Sequence, residues 1–165
     1  MYLLDTPVLV DLGRAKAGRA DPGLIAWAGS VSRQTLFISA LTLLELENGA
    51  RKSGRPGKAA GAALRPWIDE QVMRAFEGRI LPVDAAVVRR SGQLGYADAR
   101  DGLLAATAIE HKLTLVTHQT TAFKAGRVKL LNPRGWSAGD EDDGDDWRQA
   151  ARTGPAWLKN LFVRA

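Results

Sequence analysis

Short apolar runs alternate with longer amphipathic ones along this chain. Tyr2 to Leu4, Thr35 to Ser39 (TLFIS), Ile80 to Val83 (ILPV), Leu113 to Thr117 (LTLVT) and Val128 to Leu131 (VKLL) read as strands. Several are continuously apolar, the pattern of parallel strands covered on both faces. Between them lie helical patterns: Pro22 to Val31, Ala40 to Lys52, about 58 to 76 after the breaker Gly54-Arg55-Pro56-Gly57, Asp84 to Leu94, and Asp101 to Lys112. Thr6-Pro7 also opens a helix, with a hydroxyl for the cap and proline at the first helical position. Strands and helices in alternation predict an α/β fold with a mainly parallel sheet.

In open sheets of this kind ligands bind beyond the carboxyl ends of the strands. Asp5, which ends the first apolar run, stands at such a place. Glu45 is a second candidate: in the helix of ISALTLLELENGARK it lies four residues past Leu41 and one past Leu44, and so shares their expected inward face, while Glu47 points elsewhere. An ordinary helix-surface glutamate is the competing reading. Asp101, the third, stands in the first turn of a helix whose Ala105, Ala106 and Ala108 permit close approach to a sheet. It competes with Asp98 for the cap; one caps and the other faces the cleft. Three carboxylates from separated segments suit Mg²⁺ or Mn²⁺, which take hard oxygen ligands and can activate water against a phosphodiester.

Composition narrows the chemistry. The 165 residues suffice for one buried domain and an extension. The chain has no cysteine and only two histidines, His111 and His118, so a metal here is expected to be held by oxygen. No apolar run approaches the roughly 18 residues of a membrane span, and an N-terminus with Asp5 and no early Lys or Arg does not resemble a signal peptide, which points to the cytoplasm. Positions 140–165 hold six acids and four bases, leaving the first 139 residues with 19 bases, 12 acids and a net charge of +7. Such a body suits a polyanion, and equally a plain solvated basic surface.

MYLLDTPVL, ISALTLLELENGAR, GRILPVD, ARDGLLAATAIEHKLTLVT and VKLLNP occur in the order and spacing of the PIN-domain family. Over about residues 1–133 the chain resembles in particular the VapC-type and FitB-like toxins of bacterial toxin–antitoxin pairs. The resemblance implies a three-layer α/β/α fold with a mainly parallel central sheet. It also implies a Mg²⁺ or Mn²⁺ site built from Asp5, Glu45 and Asp101, endoribonuclease activity, a homodimer, and an antitoxin partner whose segment blocks the cleft. Thr6, Asp98, Thr117 and Gln119 are the auxiliary residues expected near it.

The chain also departs from that family. Pro7 stands where an asparagine is usual. After LTLVT the family commonly has Arg and then Asn or Asp, whereas this chain reads His118-Gln119. Gln119 offers a neutral oxygen and removes one negative charge, implying weaker metal binding. His118 could meet phosphate, though a plain surface histidine is the simpler expectation. The competing function is a PIN-like protein that binds RNA or a protein partner without cutting. Beyond the domain at 1–133, residues 134–146 read as an acidic linker and 147–165 as an amphipathic tail interrupted by Gly154-Pro155. The hypothesis drawn from that extension is that the tail anchors while the acidic run lies across the basic cleft.

Overall fold

The computed structural model describes residues 1–15, 18–53 and 64–137. Most of the acidic stretch and the whole amphipathic tail lie outside the described residues, as does the breaker at 54–57. Five short strands form one sheet: β1 (Tyr2–Leu4), β2 (Leu36–Ser39), β3 (Ile80–Leu81), β4 (Thr114–Val116) and β5 (Leu130–Leu131). Their order is β3-β2-β1-β4-β5, and every pairing is parallel. The helices are α1 (Thr6–Gly13), α2 (Pro22–Ser30), α3 (Ala40–Ser53), α4 (Leu64–Trp67), α5 (Met73–Ala75), α6 (Ala85–Gln93) and α7 (Ala99–Glu110). A π-turn at Ile68–Val72 joins α4 to α5. Short 3₁₀ turns occupy Arg33–Thr35 and Thr120–Gly126.

Alternation along the strands produces the layers. Leu4, Leu36, Ile38 and Val116 face one core with Val8, Leu9, Leu12, Leu24, Trp27 and Phe76. Leu3 and Leu115 face the other with Leu104, Ala105, Ala108 and Phe123. Adjacent residues Leu3 and Leu4 thus serve opposite faces, both fully buried, which is why the run read as continuously apolar. The expected three-layer α/β/α arrangement is what forms.

Local chemistry sets the helix starts. The first helix is capped by Asp5 rather than by the Thr6 hydroxyl that the sequence suggested: the Thr6 backbone N–H donates to Asp5 Oδ1 at 2.8 Å, and Thr6 and Pro7 become its first two helical residues. Asp21 caps α2 and Asp84 caps α6, each accepting from the backbone N–H three residues on. Trp136 packs against the first core, and Gly23 lets the backbone there come close: a Cβ on Gly23 would lie 2.6 Å from the nitrogens of Gly135 and Trp136.

The chain leaves central β1 toward β2 and β3, then returns to β4 on the other side. This reversal puts a topological switch point between β1 and β4, the place where an open sheet splays its loops into a crevice.

Candidate functional site

Asp5 sits at that switch point. Its side chain is 2% exposed. A carboxylate so buried needs donors on both oxygens, and it has them. Oδ1 accepts from the Thr6 N–H at 2.8 Å and from the Arg100 guanidinium at 2.7 Å; Oδ2 accepts from the Thr117 hydroxyl at 2.8 Å. Thr117, fully buried just past β4, is itself oriented by accepting from the Gln119 N–H at 3.1 Å.

Glu45 reaches the same place from α3. Its Oε2 accepts from the Thr6 hydroxyl and, at 3.1 Å, from Arg100, while Oε1 forms a close ion pair with Arg100 Nε. The expected face of α3 needs correction. Leu44 is 55% exposed, and Thr42, Leu46 and Ala50 are the buried positions. Glu45 is half-buried because it borders Leu46 and faces Arg100, and not because it shares a face with Leu44. Glu47 is the surface acid expected, paired with Arg65 at 2.5 Å.

Asp98 and Asp101 divide their roles as the spacing allowed. Asp98 caps α7, accepting from the N–H groups of Arg100 at 2.7 Å and Asp101 at 3.3 Å. That frees Asp101, whose Oδ1 pairs with Arg100 at 2.8 Å.

The residue missing from the sequence reading is Arg100. One guanidinium ties together Asp5, Glu45 and Asp101, drawn from β1, α3 and α7. Burial works against its charge, but the hydrogen bond to Glu45 and the charges of Asp5 and Glu45 outweigh that and hold its pKa above the ordinary arginine value. A signal existed. Arg100 lies in the first turn of α7, where a cation opposes the helix dipole and an acid would be the ordinary choice.

Two further expectations resolve differently. Gln119 is exposed, and only its backbone enters the cluster's hydrogen bonding. His118 is no surface histidine: its side chain is 5% exposed, with Nε2 3.1 Å from Asp11 Oδ2 and a buried Nδ1 that meets no partner.

The donor set suits a hard divalent cation, since three carboxylates already surround one positive group. Their spacing, however, is set by a planar guanidinium. Among the described residues no group of three or more acids or histidines is arranged to hold an ion as the side chains stand. The same residues could close on an ion only with Arg100 withdrawn.

Comparison with known proteins adds a family, two relatives and two solved structures. The family model described as PIN domain matches residues 2–127. VapC ribonuclease Y4jK of Sinorhizobium fredii is 31% identical over 142 residues, covering 81% of this chain and 97% of its own length. Toxin FitB of Neisseria gonorrhoeae is 32% identical over 148 residues, covering 81% and 98%. Among solved structures, FitAcB from Neisseria gonorrhoeae superposes with a TM-score of 0.70 at 33% identity, over 81% of this chain and 98% of that one. FitAB bound to an IR36 DNA fragment gives 0.70 at 30% identity, over 81% and 95%.

Proposed function

Because this chain belongs to the PIN domain family, we propose that it is a toxin-type endoribonuclease whose acidic site, Asp5, Glu45 and Asp101, works with Mg²⁺ or Mn²⁺. The observation that carries this reading is the convergence of those three carboxylates, from three separate elements, on a single positive group at the switch point of the sheet. A divalent ion there would polarise a phosphodiester and lower the pKa of water.

The chain's own residues have separable tasks in this reading. Asp5 is immobilised by Thr6 and Thr117, so its oxygens are presented without reorganisation. Thr6 also fixes Glu45 against the start of α1. Asp98 spends its side chain on the cap and leaves Asp101 free for the cleft. The basic body attracts the RNA backbone through phosphate neutralisation. Relatives named as a VapC ribonuclease and a FitB toxin support RNA as substrate and a toxin role. A solved toxin–antitoxin complex from Klebsiella pneumoniae, matched at 25% identity with a TM-score of 0.57, supports an antitoxin partner. A homodimer and a cytoplasmic location complete the proposal; among the described residues no helix is long and apolar enough to cross a membrane.

The test is incubation of the partner-free chain with a mixed RNA pool and Mn²⁺ or Mg²⁺, beside Asp5→Asn, Asp101→Asn and an EDTA control. Cleavage requiring the ion and both acids is the expected result. Wild type that binds RNA but never cuts it would replace the nuclease with a binding protein. Gln119→Asp gives a second arm: a live site gains metal affinity from the added charge, whereas a pure binding module gains none.

A further inference from the structure

We propose that Arg100 is a resident counter-cation of the acidic site, which a divalent ion must displace and which therefore sets how tightly the site takes that ion. The inference rests on the metal-dependent reading above and adds a residue to it.

Asp5 is the buried member of the acidic cluster. It is 2% exposed and Thr6 and Thr117 give it neutral donors only, so a cation beside it offsets part of the cost of burying its charge. Arg100 is that cation and satisfies Glu45 and Asp101 with the same group, using Nε and both terminal nitrogens. A planar fork of this kind can bridge three acids, and the point charge of a lysine cannot.

Two cations cannot share the cluster on equal terms. The guanidinium occupies the space between the acids, and the oxygens it engages are those an ion would need. Bringing a divalent ion to within coordination distance of them also places it beside a fixed positive charge, a repulsion that weakens its binding. Arg100 has somewhere to go, because its side chain is 30% exposed and half-way to solvent already. With Arg100 in place, three carboxylates against one guanidinium leave a formal charge of −2, which repels a phosphodiester. A divalent ion in its place leaves the three acids at −1, and the released guanidinium at the rim brings the whole to zero where phosphate arrives.

Occupancy sets the size of the effect. A site that is competent a tenth of the time loses about tenfold in apparent affinity. Mn²⁺ affinity, read from the electron paramagnetic resonance signal of the free ion, is the measurement, on full-length wild type, Arg100→Gln and Arg100→Lys. Arg100→Gln is expected to bind Mn²⁺ about tenfold more tightly than wild type, with Arg100→Lys between them. Equal affinities in all three would overturn the proposal and leave the metal-dependent reading standing. Weaker binding by Arg100→Gln would overturn it too, showing that Arg100 holds the acids ready for the ion. No Mn²⁺ binding by any of the three would remove both readings.

Arg100→Gln leaves Asp5 without a cation and could fail to fold, so a second measurement uses wild type alone. The Arg100 Nε–H resonance, assigned as the one absent from Arg100→Lys, is expected to shift with Mg²⁺ and saturate with ion binding. An unchanged resonance while Mg²⁺ binds would overturn the proposal.

Discussion

The two ends of the sheet each carry a partly buried arginine, and they use it in opposite ways. Arg79, at the amino ends of β2 and β3, meets no acid among the described residues. Its guanidinium donates to the backbone carbonyls of Arg33 and Leu36, each at 2.7 Å, and to that of Ala75, and its Cζ lies 5.2 Å from the centre of the Phe76 ring. Burial, and after it the charge of Arg33, lower its pKa. Arg100, at the carboxyl ends, meets three carboxylates and has its pKa raised. Arg79 ties together loops through their carbonyls, two of which also accept from other donors: Ala75 O from Arg33 and Arg33 O from the Leu36 N–H. Arg100 neutralises acids that the fold would not gather for stability alone, since replacing a buried ionic cluster by apolar residues is often neutral or stabilising. Charge gathered at a cost to the fold marks the functional end.

Substitutions can break this contrast. The largest effect is expected at the carboxyl end. Loss of an outer partner of a metal ligand costs about 10–100-fold in activity, so Asp5→Asn, which on the proposed function alters a ligand itself, should lower RNA cleavage by about 100-fold or more. Comparable cleavage by the two proteins in single-turnover assays would dissolve the distinction between the ends. At the amino end, Arg79→Met should lower stability by about 2 kcal/mol, since the Leu36 carbonyl loses a charged donor while those of Arg33 and Ala75 each keep another. Urea unfolding measures it, and cleavage per folded molecule should be unchanged.

Tyr96 sharpens the picture, because it supports the carboxyl end without charge. Its hydroxyl donates to Phe123 O at 2.9 Å and accepts from the Gly126 N–H at 3.1 Å, clamping the 3₁₀ turn that follows Gln119. Tyr96→Phe should cost about 1 kcal/mol. Burial raises the pKa of Tyr96. The folded state therefore holds this proton more tightly than the unfolded chain, and the associated stability is complete below the ordinary tyrosine value and lost as pH rises through the folded one. Unfolding free energy followed from pH 8 to 11 should decline at the alkaline end in wild type, and less so in Tyr96→Phe. The smallest effect belongs to an ion pair away from both ends. Arg90 and Glu110, 2.6 Å apart with side chains 43% and 28% exposed, should contribute under about 0.5 kcal/mol, and molar salt should erase even that.

Much of this was legible in the residues. All five apolar runs contain strands, because each is bounded by turn or capping residues; the three central ones carry buried residues and the edge strands β3 and β5 are half-buried. The division between Asp98 and Asp101 followed from spacing in one helical turn. The face of α3 did not. Leu44 looks inward by composition and points to solvent, because the helix is rotated to bury Thr42, Leu46 and Ala50 against the sheet. Thr6 lost the cap to Asp5 for a similar reason: both residues can cap, and the end of β1 puts Asp5 in the extended conformation a cap requires, with φ −70° and ψ 152°.

By itself the sequence determined the α/β class, the strands, the three carboxylates and their place at strand ends or helix starts, since periodicity, capping and charge act over a few residues. Only the tertiary structure decided that Arg100 stands among them. Residues 5, 45 and 100 are brought together by a sheet whose order reverses between β1 and β4, and no local pattern encodes the distance between side chains so far apart in the chain.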